Sequence, residues 1–243
     1  MLVRTMLRRQ AHAMRANRSN SPLVVGSTKA VNKGLMERRE SMFIRQGEID
    51  RDHRIKLMEH TYQAKDSDTK VMTLGGGCFW CTEAVFVLVH GVLDVESGYC
   101  NGHTLNPTYA QVCGGDTGHN EVVRLVYDPK RISLRELLEI FFVIHDPTTL
   151  NRQGNDAGTQ YRSGIYWSDE ADREVAQQVL DELNVALSDR VVTELQRLDN
   201  YSRAEDYHQD YFANNPHQGY CAFVVAPKVQ KFVQTFSDRL KLD

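Results

Sequence analysis

Apolar and polar positions along residues 70–167 follow a regular order of short strands and longer helices. Period-two alternation and β-branched runs predict strands at 71–74, 92–99, 121–127 and 164–167. Apolar runs with helical spacing predict helices at 78–90 and 133–145. This β-α-β-β-α-β order is that of a ferredoxin-like, split-βαβ arrangement. We therefore expect an α+β protein with two layers around one core.

The chain beyond residue 167 predicts extra elements around that core. Ser168 and Asp169 are placed to cap a third helix, whose apolar positions recur every four residues. Weaker patterns predict a strand at 191–195, a short aromatic helix at 204–212 and a terminal helix at 228–240. The C-terminal segment is therefore expected to carry helices separated by long loops.

The first 69 residues differ in composition from the rest of the chain. Residues 1–36 hold seven Lys or Arg and no acidic residue, which resembles a mitochondrial transit peptide. A disordered basic tail and an upstream start codon are the alternatives. Residues 37–69 are dense in mixed charge and poor in apolar side chains, so they cannot bury much. We expect an extension at 1–69, disordered or partly helical, and a catalytic domain at 70–243.

Charge and cysteine content narrow the possible functions. The net charge is −3 although the N-terminus is basic, so the folded part is acidic and disfavours nucleic acid as a partner. No apolar run approaches the roughly 18 residues needed to cross a membrane. Five cysteines without a secretory signal favour reactive or metal-binding thiols in a reducing compartment. We expect a cytoplasmic protein, or a mitochondrial one if residues 1–36 act as a targeting segment.

The strongest chemical feature is a cysteine that follows three glycines. Gly75, Gly76 and Gly77 come between the first predicted strand and an apolar helical run, which places Cys78 at the first turn of a helix. The free N–H groups and the positive end of the helix dipole favour a thiolate there, and the thiolate is the nucleophilic form. Without Cβ atoms, the glycines would also let a substrate approach the backbone.

Six short segments resemble the peptide-methionine (S)-S-oxide reductase A family. They occur in the family's order, span about residues 70–230, and have no counterpart before residue 70. The segments are Gly77-Cys78-Phe79-Trp80, Asn106-Pro107-Thr108-Tyr109, Gly115-Asp116-Thr117-Gly118-His119, Gln153-Gly154-Asn155-Asp156, Gly158-Thr159-Gln160-Tyr161-Arg162-Ser163 and Gly219-Tyr220-Cys221.

The resemblance implies a role for three catalytic residues. Cys78 matches the nucleophile that attacks the sulfoxide sulfur, and Glu121 matches the general acid that protonates the departing oxygen. Attack leaves Cys78 as a sulfenic acid, which a second thiol must resolve. Cys221 matches this resolving cysteine, and thioredoxin or another dithiol would reduce the resulting Cys78–Cys221 disulfide.

The resemblance also implies a substrate pocket. Tyr109, Asp156 and Tyr161 match groups that orient the sulfoxide oxygen. Phe79 and Trp80 match an apolar wall for the methyl group. The implied reaction is reduction of methionine (S)-S-oxide, free or in oxidised proteins, by a monomer without a bound cofactor or metal.

Two departures from the family and two rival interpretations remain open. Asn120 stands where the family most often has alanine, and only one C-terminal recycling cysteine is present. Cys81 allows a relay through its CxxC spacing with Cys78. The same pair suggests a thioredoxin-like oxidoreductase, and with Cys100 and His103 it approaches the ligand spacing of a zinc site. The thioredoxin-like interpretation leaves Glu121 and Cys221 without a role. The zinc interpretation places its first ligand pair on a buried helix and does not explain the Asn-Pro-Thr-Tyr, Gly-Asn-Asp and Gly-Tyr-Cys segments.

Overall fold

The computed structural model describes residues 68–188 and 190–241. The predictions made for residues 1–67 lie outside the described residues. In the described part, the strands in chain order are β1 (Lys70–Gly76), β2 (Val92–Cys100), β3 (Asn120–Tyr127), β4 (Arg152–Gln153), β5 (Asp156–Ala157), β6 (Ser163–Trp167), β7 (Glu194–Arg197) and β8 (Ser202–Arg203).

The helices alternate with these strands. They are α1 (Phe79–Phe86), α2 (Tyr109–Gly114), α3 (Leu134–Ile144), α4 (Glu170–Ala186), α5 (Tyr211–Asn214) and α6 (Ala226–Thr235). A π-helical turn, Cys221–Val225, leads directly into α6, and single 3₁₀ turns lie at Thr159–Tyr161, Asp206–His208 and Ser237–Arg239. None of the helices in this part combines the length and apolarity that a membrane span requires.

One six-stranded sheet organises the molecule, in the order β7-β6-β1-β3-β2-β8. In its central four strands, β6-β1-β3-β2, each strand is antiparallel to its neighbours, and these are the four predicted strands. The ferredoxin-like prediction is therefore confirmed. Strand β7 extends the sheet in parallel beside β6, and the short β8 pairs antiparallel with β2.

Local capping explains where two predicted helices begin. The Ser133 hydroxyl accepts a hydrogen bond from the N–H of Glu136, and the Glu136 carboxylate accepts one from the N–H of Ser133. This reciprocal pair is the capping box that the sequence predicts at the start of α3. Asp169 accepts from the N–H of Ala171 and opens α4, also as predicted.

Two predicted helices are shorter or more broken than expected. Helix α1 ends at Phe86 instead of residue 90, because the N–H groups of Leu88 and Val89 bond three residues back. The N–H of His90 bonds to Arg239, and the chain turns at Gly91, with φ +85°. The predicted helix 204–212 is instead a 3₁₀ turn and α5. They are separated at Asp210, whose φ of +53° lies in the left-handed region and interrupts the helix.

Two C-terminal boundaries also differ from the prediction. The N–H of Val191 bonds to the Asn184 side chain and that of Val192 bonds to Pro147, so both donors are used before the strand begins. As a result β7 starts at Glu194, not at residue 191. The terminal helix starts earlier than residue 228, through the π-helical turn, and ends at Thr235.

The sheet has an apolar layer on each face. Helices α1 and α3 contact one face, and the buried side chains between them form the main core. Cys100, Val122 and Tyr166 form a second, small cluster covered by Leu198 and Tyr201. Their sequence neighbours in the strands belong to the main core, and successive strand side chains point to opposite faces. The small cluster therefore lies behind the sheet.

Candidate active site

Cys78 occupies the junction between β1 and α1. Strand β1 ends at Gly76, Gly77 has φ +91°, and Cys78 is the N-cap residue of α1. The N–H of Cys81 donates to the carbonyl oxygen of Cys78 at 3.1 Å, which closes the first turn. The strand, glycine turn and helix predicted from the sequence are therefore present, with Cys78 at the helix start.

The glycines make room for protein side chains. A Cβ on Gly75 would lie 2.2 Å from Nδ2 of Asn120, and one on Gly77 would lie 2.6 Å from the Gln153 side chain. The space that the sequence analysis expects a substrate to use is therefore filled at these two positions. Asn120 also donates to the carbonyl of Arg162 at 3.0 Å, so its amide links the start of β3 to the residue before β6.

Cys78 and Cys81 form a buried thiol pair at the start of α1. Their side chains hydrogen-bond to each other, and both belong to the main core. Burial raises the pKa of Cys78 well above its usual value. The pKa of Cys81 is lowered to about 7, because Cys81 accepts the hydrogen bond from Cys78 and the Lys228 ammonium lies beside it. The sequence predicts a lowered pKa for Cys78, but in the folded structure the pKa of Cys81 is the one that is lowered.

Glu121 lies next to this helix start in a fully enclosed position. It is the second residue of β3 and is 1% exposed, and its Oε2 accepts a hydrogen bond from the N–H of Phe79 at 3.2 Å. Burial raises the pKa of the carboxyl to about 8, and the charge of Asp156 adds to the rise. A carboxyl with this pKa holds its proton at neutral pH, as a general acid must.

Tyr220 connects Asp156 to the reactive cysteine. Its hydroxyl donates to Oδ2 of Asp156 at 2.6 Å and also hydrogen-bonds to the sulfur of Cys78. The sequence analysis selects Asp156 as a pocket residue but does not select Tyr220 by itself. The available signal is its place in the Gly219-Tyr220-Cys221 segment.

An aromatic cluster covers the outer side of the helix start. The Trp80 ring stacks on Tyr211 with centroids 3.7 Å apart and 5° between the planes, and its Nε1–H donates to Nδ1 of His208 at 3.1 Å. Phe79 is buried against His208, with ring centroids 5.0 Å apart. Of the two residues expected to form the pocket wall, Phe79 is buried in the core and only Trp80 keeps exposed surface.

Tyr109, the first residue of α2, and Tyr161, at the end of a 3₁₀ turn, lie on separate segments near Glu121. Burial raises the pKa of both phenols and the charge of Glu121 adds to the rise, so both lie within electrostatic reach of that carboxyl. The N–H of Tyr109 is held by the carboxylate of Glu205 at 2.9 Å. The structure therefore brings together the pocket residues that the resemblance implies.

A second buried carboxylate supports the aromatic cluster. Glu83 is 2% exposed, and its carboxylate oxygens accept from the N–H of Asp210 at 2.8 Å and from the N–H of Tyr211 at 3.2 Å. This ties the segment that carries Tyr211 to α1, beside Trp80. The sequence analysis does not select Glu83, although a carboxyl within an apolar helix is a sign of a buried polar contact.

The remaining cysteines occupy three different environments. Cys221 is fully buried on the π-helical turn, and its pKa is raised by this burial and, to a lesser extent, by the charge of Cys81. Cys113 is exposed and hydrogen-bonds to Tyr109, and Cys100 lies behind the sheet. All five thiols are free.

Cys100 therefore lies in a different cluster from the thiol pair with which the zinc interpretation groups it. Within residues 68–188 and 190–241, no three His, Cys, Asp or Glu side chains are grouped so as to hold a metal ion.

The chain resembles known proteins over the described region. The family model described as peptide methionine sulfoxide reductase matches residues 70–240. A peptide methionine sulfoxide reductase of Saccharolobus solfataricus is 52% identical over 173 residues, covering 71% of this chain and 98% of that protein. Another, from Polynucleobacter asymbioticus, is 55% identical over 166 residues, covering 68% of this chain and 87% of that protein.

Solved structures give the same likeness in three dimensions. Methionine sulfoxide reductase A of Corynebacterium diphtheriae superposes with a TM-score of 0.58 at 39% identity, covering 64% of this chain and 79% of that chain. The reduced form of a Saccharomyces cerevisiae protein superposes with a TM-score of 0.60 at 38% identity, covering 64% and 90%.

Proposed function

The chain belongs to the peptide methionine sulfoxide reductase family, and we propose that it reduces methionine (S)-S-oxide, free and in oxidised proteins. The observation that carries this proposal is the buried, protonated Glu121 carboxyl beside the N-terminal turn that carries Cys78. A sulfoxide oxygen leaves only as it is protonated, so a thiol nucleophile and a carboxyl acid are the two groups that the reaction needs.

The first step transfers two electrons from Cys78 to the substrate. The Cys78 sulfur attacks the sulfoxide sulfur, its own proton moves to the Cys81 thiolate, and Glu121 protonates the sulfoxide oxygen. The hydroxyl group then moves from the substrate sulfur to the Cys78 sulfur, so that the substrate S–O bond and the newly formed S–S bond both break. Methionine leaves, and Cys78 becomes a sulfenic acid. The charge is conserved, because a negative charge is lost at Cys81 and gained at Glu121.

Substrate recognition combines an apolar wall with polar groups. The half-buried ring of Trp80, stacked on Tyr211, offers an apolar surface for the methyl group. The polar side of the pocket, which binds the sulfoxide oxygen, lies near Glu121. It is formed by the hydroxyls of Tyr109 and Tyr161 and by the carboxylate of Asp156. This arrangement suits a substrate that is polar at S=O and apolar at its carbons.

The enzyme returns to its starting state through thiol chemistry. A sulfenic acid condenses with a second thiol to a disulfide and water. We assign Cys221 to this recycling path, with an external dithiol such as thioredoxin as the reductant. No bound cofactor takes part in these steps, and the biological role is the repair of oxidised proteins.

Turnover of each sulfoxide epimer tests the function. The full chain with a dithiol should reduce a peptide containing methionine (S)-S-oxide and leave the R epimer intact. Cys78→Ser should lose all turnover, whereas Cys100→Ala, which removes a thiol behind the sheet, should keep it. Retained turnover in Cys78→Ser would disprove the mechanism.

The location in the cell is a separate proposal. Composition favours the cytoplasm, with mitochondria as the alternative through residues 1–36. Imaging of the full chain and of a form that lacks residues 1–36, each fused to a fluorescent protein, decides between them. Mitochondrial signal that depends on these residues would overturn the cytoplasmic proposal.

A further inference from the structure

We infer that Cys81 is the thiol that condenses with oxidised Cys78, and that it then passes the disulfide on to Cys221. This rests on the proposed function, since it concerns how the Cys78 sulfenic acid is removed. It gives the second cysteine of the Cys78-Phe79-Trp80-Cys81 segment a direct part in the reaction.

The first support is the position of the two sulfurs within one helical turn. Cys78 is the N-cap of α1 and Cys81 is its third helical residue. Side chains at these two positions face each other, as they do in a capping box. The two side chains lie together in the buried core at the start of α1, and each thiol acts on the pKa of the other.

The second support is the environment of Cys81. The Lys228 side chain, from the first turn of α6, hydrogen-bonds to the Cys81 sulfur and places a positive charge beside it. Such a contact stabilises a thiolate, the form that is nucleophilic in disulfide chemistry. Cys100, also buried, has no comparable cation in hydrogen-bond contact and its thiol is held protonated by burial. The Lys228 side chain therefore favours the reactive thiolate form of Cys81.

The third support is the place of Cys221. Its π-helical turn packs against α1, and the thiol whose charge acts on it is that of Cys81. The family resemblance implies direct condensation between Cys78 and Cys221. Cys81 instead shares a helical turn with Cys78, and the turn that carries Cys221 packs against the same helix, which favours the order Cys78, Cys81, Cys221.

The steps balance in atoms and electrons. After methionine has left, the Cys81 thiol attacks the Cys78 sulfenic sulfur, an S–S bond forms, the S–O bond breaks and water leaves. The Cys221 thiolate then attacks the Cys81 sulfur, giving a Cys81–Cys221 disulfide and a free Cys78 thiolate, with no net change in oxidation. An external dithiol finally reduces this disulfide by two electrons and becomes a disulfide itself.

A time-resolved disulfide map of the unaltered full chain tests the order. Reduced protein is mixed without reductant with one equivalent of a methionine (S)-S-oxide peptide, quenched by alkylation at successive times, and digested with chymotrypsin. Cleavage after Phe79 and Trp80 puts Cys78 and Cys81 on separate peptides. A Cys78–Cys81 link should appear first and a Cys81–Cys221 link should replace it. A Cys78–Cys221 link that forms with no earlier Cys78–Cys81 link would overturn the inference.

Variants give a second measurement that does not depend on this map. In Cys221→Ser, the Cys78–Cys81 link should accumulate after one methionine is formed per protein. In Cys81→Ser and Cys81→Ala, the Cys78 sulfenic acid, trapped with dimedone, should last at least about ten times longer than in the unaltered chain. Cys100→Ala is the matched control and should match the unaltered chain.

Failure of this inference is distinguishable from failure of the proposed function. If the sulfenic acid disappears at the normal rate in both Cys81 variants, Cys81 is not the condensing thiol, although methionine is still produced. If the unaltered chain forms no methionine, the proposed function itself is wrong and the inference falls with it.

Discussion

Replacement of Glu121 by glutamine should remove the general acid while preserving the shape of the side chain. The carboxyl is 1% exposed, and burial raises its pKa to about 8. With that pKa, about nine in ten carboxyls hold a proton at pH 7 and about one in ten at pH 9. The acid-dependent rate should therefore fall about tenfold between these two pH values.

The full pH profile should be bell-shaped. Its rising limb reflects loss of a proton from the thiol pair, because the pKa of Cys81 is about 7, and its falling limb reflects Glu121. In Glu121→Gln the falling limb should vanish. Single-turnover methionine formation at pH 7 should drop by roughly 100- to 10,000-fold, the usual contribution of a general acid.

Thermal unfolding shows whether Glu121→Gln loses activity because the acid is gone or because the fold is destabilised. The folded protein keeps the Glu121 proton up to about pH 8, whereas the carboxyl in the unfolded chain titrates near its ordinary value of 4.5. The folded state thus binds more protons between these values, and its stability falls as pH rises through that window. Glutamine carries no charge, so Glu121→Gln should melt at a higher temperature than the unaltered chain at pH 9 and at a similar one at pH 5.

The assay is rapid-quench measurement of methionine formation from pH 6 to 9.5, with Asp116→Asn as control because Asp116 is an exposed acid on a nearby loop. The control should keep the falling limb. A falling limb that persists in Glu121→Gln, or a variant that retains more than about a tenth of the rate at pH 7, would refute the role of the acid.

Three further changes have defined outcomes. Tyr220→Phe removes a hydroxyl that contacts both Asp156 and Cys78, so kcat/KM should fall about tenfold; an unchanged value would show that the hydroxyl is idle. Glu83→Gln should lower the free energy of unfolding, measured by urea titration, by about 1.5–3 kcal/mol, because a carboxylate that accepts two backbone N–H bonds is lost. The exposed control Glu174→Gln should change the free energy of unfolding little. Deletion of residues 1–69 should leave kcat/KM intact, since the matched family region begins at residue 70, and a large loss would place those residues in the site.

The fold could be predicted because its signals are local. Strand alternation and the capping box at Ser133 depend on neighbouring residues, and both have their expected structure. The end of α1 and the break at Asp210 could not be predicted, because a tight turn and a left-handed φ are selected by tertiary contacts. The start of β7 likewise depends on hydrogen bonds to the Asn184 side chain and to the carbonyl of Pro147.

The site was partly predictable for the same reason. The helix start at Cys78 follows from its local sequence, but the environment of the neighbouring Cys81 thiol depends on Lys228, far along the chain. Sequence position alone cannot reveal that Glu121 is enclosed and Tyr220 is bonded to Asp156. These contacts decide where the proton and the negative charge lie, so they needed the folded structure.

Electron donation from Cys78 to the sulfoxide can be tested directly in a single anaerobic turnover. The fully reduced chain is mixed with one equivalent of the S epimer and no added reductant, and methionine and free thiols are then counted. We expect one methionine per protein and loss of two of the five free thiols, with neither in Cys78→Ser. Methionine produced without thiol loss, or by the Cys78→Ser variant, would contradict it.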